Sequence, residues 1–194
     1  MKYALKEWST TTEALGKGHI IAIWRKGGLN ESFNVHQSHC ILFPTFTHQH
    51  QEKIKSSFWY LFDQSVQPNK DNQLKIKYWA EIQGVIEIET FDQLLRISNE
   101  LINTNEHLYS SWNLYQDFKG KVLLLRVYAL CNHILITNSP EYSGCKSWVE
   151  LKIDIPKSGS KPVLPFKEFN RKARLIKNLL EHESVTIIST PLAS

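Results

Sequence analysis

The sequence is poor in cysteine, glycine, proline and long apolar runs. Its three cysteines, Cys40, Cys131 and Cys145, are widely spaced and form no CxxC pair. That excludes a disulfide framework and a cysteine-based zinc site, and it points to a reducing compartment. No apolar run approaches the roughly 18–20 residues that a membrane-spanning helix needs. The opening segment, MKYALKEWSTTTEA, lacks the continuous apolar stretch of a signal peptide. A cytoplasmic location and no membrane partner are therefore expected. Eight glycines and seven prolines in 194 residues argue against long disordered stretches. Repeats of 20–50 residues, GxGxxG and Walker motifs are all missing.

What is present is ordinary in amount but uneven in place. Hydrophobic residues make up 42% and charged residues 22% of the chain, enough to build a core without staples. The net charge of +4 comes from 23 Lys+Arg against 19 Asp+Glu. Residues 1–151 hold 15 of each sign, and residues 152–194 hold the other 8 basic and 4 acidic side chains. The excess thus lies wholly in the C-terminal region. The expected organisation is an α+β body over residues 1–155, a linker over 156–164 rich in Pro, Gly, Ser and Lys, and a helix and tail over 165–194 packed on the body.

Apolar spacing predicts a helix over 3–17, stopped by Gly16-Lys17-Gly18. Strands are predicted over 19–24, 33–35 and 40–43, the last closed by Pro44. Residues 45–62 read as a loop that becomes a helix. Residues 74–89 alternate as a long strand with a bulge at Gly84, and 91–103 read as a helix. The run 122–130 is the strongest strand, and 145–153 is another. Residues 165–183 give the best amphipathic helix, with Phe166, Phe169, Ala173, Ile176 and Leu180 in one stripe. A short strand follows at 185–189. The mixture lacks a βαβα rhythm, so the expected fold class is α+β with a mixed or antiparallel sheet, barrel-like in one version, carrying a C-terminal amphipathic helix.

Five features suggest chemistry. The turn Arg25-Lys26-Gly27-Gly28 sets two cations beside backbone N–H groups, as a phosphate site requires. His36, His39, His48 and His50 lie within fifteen positions, and with Glu52 they could hold a metal, although no HExxH pattern supports it. Glu150-Leu151-Lys152, preceded by Glu141, has the outline of a PD-(D/E)xK nuclease site, in which carboxylates hold Mg2+. Six tryptophans each sit near a cation, a pattern shared by nucleotide-stacking platforms and by core tryptophans flanked by surface lysines. Lys167, Arg171 and Arg174 share one face of the C-terminal helix and could track phosphates. No nucleophile motif surrounds any cysteine.

Several segments together resemble one family. They are Ala4-Leu-Lys-Glu-Trp8, Glu13-Ala-Leu15, Trp24-Arg-Lys-Gly-Gly-Leu29, Leu42-Phe-Pro-Thr45 with His48-Gln49, the strand from Val122 with Arg126 inside it, and Cys145-Lys-Ser-Trp-Val-Glu-Leu151. They resemble the bacterial, mainly cyanobacterial, family of unknown function numbered eighteen-oh-two, from about Ala4 to Leu180. The resemblance implies no activity and assigns no catalytic residue. The outline is also similar to PUA-like and ASCH domains, small β-barrels that bind RNA or modified nucleotides, though the ASCH motif G-x-K-x-x-E-x-R is missing.

The expected function is a binding module for an anionic ligand, nucleic acid or nucleotide, using Lys6, Arg25, Lys26, Gly27, Gly28, His48, Gln49 and Arg126, with the C-terminal helix as a non-specific aid. No cofactor or metal is expected under this reading. The alternatives are a Mg2+-dependent nuclease using Glu141, Glu150 and Lys152, and a protein-interaction module without catalysis.

Overall fold

The computed structural model describes residues 1–26, 33–35, 37–65, 72–114, 119–144 and 146–180. Gly27, Gly28, His36, Cys145 and the strand expected at 185–189 lie outside them. Among the described residues the fold is α+β. Seven strands form one mixed sheet, and a long C-terminal helix packs on it.

The strands are β1 (Tyr3–Trp8), β2 (Ala22–Arg25), β3 (His39–Thr45), β4 (Gln73–Ile88), β5 (Gly120–Thr137), β6 (Trp148–Glu150) and β7 (Lys161–Pro162). The helices are α1 (Ser9–Gly16), α2 (Trp59–Ser65), α3 (Phe91–Arg96), α4 (Asn105–Asn113) and α5 (Phe166–Leu180). The sheet order is β2-β5-β4-β3-β1-β6, with β7 also on β5. Only β1 and β3 run parallel among these pairs. The described strands do not close into a barrel.

The hairpin of β4 and β5 is the frame. Its register shifts between Ile76 and Tyr78 and again between Ile82 and Gly84. The second shift is the expected bulge at Gly84. Such shifts bend a strand and raise its local twist, so a strand of 16 residues can follow a curled sheet. Pro44 does not end β3: the strand runs on to Thr45, and Pro44 pairs with Glu7 of the parallel strand β1.

The opening segment departs from the predicted helix over 3–17. Residues 3–8 are a strand between β3 and β6, and the helix begins only at Ser9. Ala4 and Leu5 are both fully buried although they face opposite sides of the sheet. A strand covered on both faces has no alternation to show, and its apolar spacing imitates a helix. Residues 33–35 form no strand; Phe33 stacks on Trp148 instead, with centroids 6.0 Å apart. The predicted helix over 91–103 stops at Arg96, after a capping box of Thr90 and Gln93. Helix α4 had no apolar stripe to announce it, since Leu108 is its one buried residue. The linker over 156–164 contains β7, which pairs with Tyr128 and Ala129.

Three apolar clusters fill the fold. One gathers Leu5, Leu15, Leu42, Leu61 and Leu125 around α1 and α2. A second joins Ile86, Leu94, Leu101 and Leu124 to Phe169, Ile176 and Leu180 of α5. The third holds Ile41, Phe43, Ile76, Trp79 and Leu151. Phe166, expected in the stripe of α5, is 61% exposed and lies against the Arg126 guanidinium at 4.9 Å.

Trp24 lies directly on Gly120, where an added Cβ would come within 1.7 Å of the indole. Gly120→Ala should therefore push Trp24 aside and destabilise the fold by about 1–3 kcal/mol. A drop in the thermal midpoint, with altered tryptophan emission, checks this; an unchanged midpoint would refute it.

Candidate functional site

The sheet curls far enough to bring β2 against β1. In a flat sheet, the four inter-strand steps between them would span roughly 19 Å at about 4.8 Å each. Yet Arg25 Nη1 on β2 donates to Glu7 Oε1 on β1 at 2.7 Å and to the Lys6 carbonyl at 3.3 Å. The space beside this junction is a cleft of about 800 Å³. Its walls come from β1 (Lys6, Glu7, Trp8), β2 and the next residue (Trp24, Arg25, Lys26), the end of β3 and its following turn (Phe43, Thr45, His48), α4 (His107, Ser111), and the segment before β6 (Tyr142, Gly144, Lys146).

Lys6 Nζ donates to the carbonyls of Tyr142 at 2.6 Å and Gly144 at 2.8 Å. This ties β1 to the rim before β6. Lys26 Nζ donates to the Trp112 carbonyl and lies 5.3 Å from the centre of the Trp112 ring. Burial lowers the Lys26 pKa from its ordinary value, because desolvation penalises the cation. Trp24 Nε1 donates to Ser111 Oγ at 3.1 Å, and its ring stacks on Trp112. Lys26 and the Trp24 indole thus line the cleft, with Trp112 behind them.

Glu7 is 8% exposed. Burial pushes its carboxyl above the usual range, while the Arg25 charge, the Arg25 hydrogen bond and the Trp8 backbone N–H pull it back. Arg25 also lies 5.2 Å from the Phe33 ring centre, and its Nε is buried without a hydrogen-bond partner among the described residues. A buried orphan donor is costly, so the guanidinium has bonding capacity that the protein leaves unused. His107 packs against Trp8 with centroids 5.2 Å apart. Its pKa is lowered, first by burial and then by Lys53.

Of the residues singled out in the sequence, Lys6, Arg25, Lys26 and His48 line this one cleft. His48 has φ +61, a left-handed conformation rare outside glycine. Gln49 does not line the cleft: its Oε1 accepts the Thr10 N–H at 2.9 Å and so holds the first turn of α1. Arg126 lies elsewhere on the sheet, opposite Glu81 in register and between the rings of Tyr128 and Phe166. Gly27 and Gly28 lie outside the described residues. Glu7, His107, Ser111, Tyr142 and Lys146 were not singled out. Glu7 lies in the Lys6-Glu7-Trp8 run, whose spacing reads as helix, and none of the five has a local signal of its own.

The other candidates are spread over the surface. Lys152 lies beyond the end of β6 and pairs with Glu141 at 2.9 Å, both largely exposed. Glu150 is exposed and opposite Tyr3. His39 approaches Glu81 and His50 approaches Glu52. Among the described residues no group of three or more His, Cys, Asp or Glu could hold a metal. Arg171 on α5 is held by Glu168 through two bonds, at 2.7 and 3.1 Å. No helix of the described residues is long and apolar enough to cross a membrane.

The model of the family described as Domain of unknown function (DUF1802) matches residues 4–174. The chain belongs to the DUF1802 family. The DUF1802 match spans the whole cleft wall, from β1 to the segment before β6. Two solved structures resemble the chain. One is the crystal structure of ASCH from Zymomonas mobilis, with 10% identity, a TM-score of 0.47, and coverage of 89% of this chain and 92% of that one. The other is a serine-to-alanine mutant of the same protein, with 9% identity, a TM-score of 0.48, and coverage of 89% and 93%. No curated protein matches the chain.

Replacing Arg25 would strand the Glu7 carboxylate. Arg25→Met should raise the Glu7 pKa further and cost about 3–5 kcal/mol when Glu7 is ionised. A carboxyl whose folded pKa is raised loses stability as pH rises from its unfolded value through the folded one. The loss from Arg25→Met should therefore be greater at pH 8 than at about pH 5. Denaturant unfolding at both pH values reads this; an equal or smaller loss at pH 8 would contradict the assignment.

Proposed function

We propose that this protein is a binding module for an anionic ligand, a nucleotide or a single nucleotide unit of a nucleic-acid strand, held in the cleft between β1, β2 and α4. One observation carries the reading. Among the described residues, four cations from three separate segments, Lys6, Arg25, Lys26 and Lys146, line one cleft with a single carboxylate, Glu7, which Arg25 already engages. A ligand of negative charge would account for cations from separate segments converging on one cleft.

The size and walls narrow the ligand. A cleft of about 800 Å³ falls in the range that takes a small molecule. The indoles of Trp8 and Trp24 give apolar faces beside the cations, as a base with its phosphate requires. In this reading Lys6, Lys26 and Lys146 hold phosphate, His48 adds a polar contact, and Gln49 acts at a distance by fixing the start of α1. Lys167 and Arg174 of α5 supply a salt-sensitive attraction for a longer strand. The reading includes no catalysis. Free Cys40 and Cys131 accord with the cytoplasmic location that belongs to it. The paired, exposed Glu141 and Lys152 give the nuclease alternative no comparable arrangement.

Calorimetric titration of the full chain with nucleoside monophosphates and short single-stranded RNA and DNA, at about 50 and 200 mM salt, tests this. Saturable one-to-one binding is expected, weakened roughly tenfold by Lys26→Ala through loss of one charge-assisted hydrogen bond. Lys152→Ala should leave it unchanged. No binding of any of these ligands at the lower salt would overturn the proposal.

A further inference from the structure

The cleft contains a group that phosphate binding does not explain. A carboxylate repels phosphate, and burying one is costly unless it is paired and hydrogen-bonded. Glu7 is nonetheless 8% exposed, faces the cleft, and sits at the junction where β1 and β2 meet. Lysines alone would hold a phosphate better without it.

The pair makes sense as a reader of a neutral, polar edge. A carboxylate only accepts hydrogen bonds and offers about four lone-pair positions; a guanidinium only donates. Arg25 takes one of the Glu7 positions at 2.7 Å and retains donors beyond it. Side by side on the cleft wall, they set the remaining lone-pair positions of a carboxylate beside a guanidinium with a donor, Nε, that has no partner among the described residues. Guanine is the complement. Its Watson–Crick edge carries two adjacent donors, N1–H and the N2 amino group, followed by the O6 acceptor. Adenine, cytosine and uracil each lack the adjacent pair of donors, so they leave one carboxylate oxygen unmatched. An unmatched buried acceptor is penalised much more than a matched one is rewarded.

We propose that Glu7 and Arg25 form a base-recognition element that makes the cleft selective for guanine nucleotides, Glu7 accepting from N1–H and N2–H and Arg25 donating to O6. The proposal rests on the nucleotide reading of the cleft and specifies it. The phosphate falls to Lys6, Lys26 and Lys146, and the Trp8–His107 pair offers the aromatic face.

Dissociation constants for GMP, IMP, AMP, CMP and UMP on the full chain test it. GMP should bind tightest. IMP, which lacks the N2 amino group, should be weaker by roughly tenfold, and AMP, CMP and UMP by roughly ten- to hundredfold. Glu7→Gln keeps the shape and an acceptor for Arg25 but loses the second acceptor, so the preference for GMP over AMP should shrink toward one, with circular dichroism confirming the fold. If that variant does not fold, the five-nucleotide panel on the native chain decides alone. Affinities equal within about twofold, or a preference for another base, would overturn the guanine assignment while leaving nucleotide binding in place. Binding of none of the five would overturn both.

Discussion

The contact between Arg25 and Glu7 is the constraint on which the rest of the molecule depends. The two residues stand on strands four places apart in the sheet, yet their side chains meet at 2.7 Å. Only a strongly curled sheet allows this, and the curl is built into the hairpin of β4 and β5 through its two register shifts. Sequence thus leads to the cleft through one geometric step: the strand bulges at Gly84, the bulge bends the frame, and the bent frame encloses a cleft. Lys6 adds a second tie, from β1 to the carbonyls of Tyr142 and Gly144. The site therefore belongs to the tertiary fold and not to any one loop.

Legibility from sequence followed local geometry. The long strand β4, its bulge, the strand β5 and the helix α5 all show periodicity, and each has one face or two that the pattern records. Strand β1 was hidden because apolar clusters cover both its faces, with Leu5 in the first and Ala4 in the third, leaving no polar face to count. Helix α4 was hidden for the opposite reason, having one buried residue and a mostly exposed surface. Of the site, Lys6, Arg25, Lys26 and His48 could be noticed as cations or polar groups at segment ends. Their meeting in space could not, because it depends on a curl that no short window encodes. Glu7 and His107 carry no local signal. They acquire meaning only from burial and from the side chains set against them across the fold.

The tryptophans separate into two kinds of work. Trp24 rests on Gly120 and stacks on Trp112, while Trp8 meets His107; the rings of Trp8, Trp24 and His107 line the cleft. Trp79, by contrast, stacks on Tyr128 at 4.2 Å, is 6% exposed, and is covered by Lys157. A lysine beside an indole looks the same in both settings when only the sequence is read. What distinguishes them is whether the cation closes the ring off or leaves it facing open space.

The length of the β4–β5 hairpin has a consequence for how the molecule comes apart. Its residues enter all three apolar clusters: Ala80 and Leu125 in the first, Ile86 and Leu124 in the second, Ile76 and Ile136 in the third. No cluster can melt without exposing part of the same pair of strands. The three clusters are therefore coupled through one pair of strands, which favours cooperative unfolding of the body. A ligand bound in the cleft would stabilise that shared frame, so that a local binding event would be felt beyond the cleft.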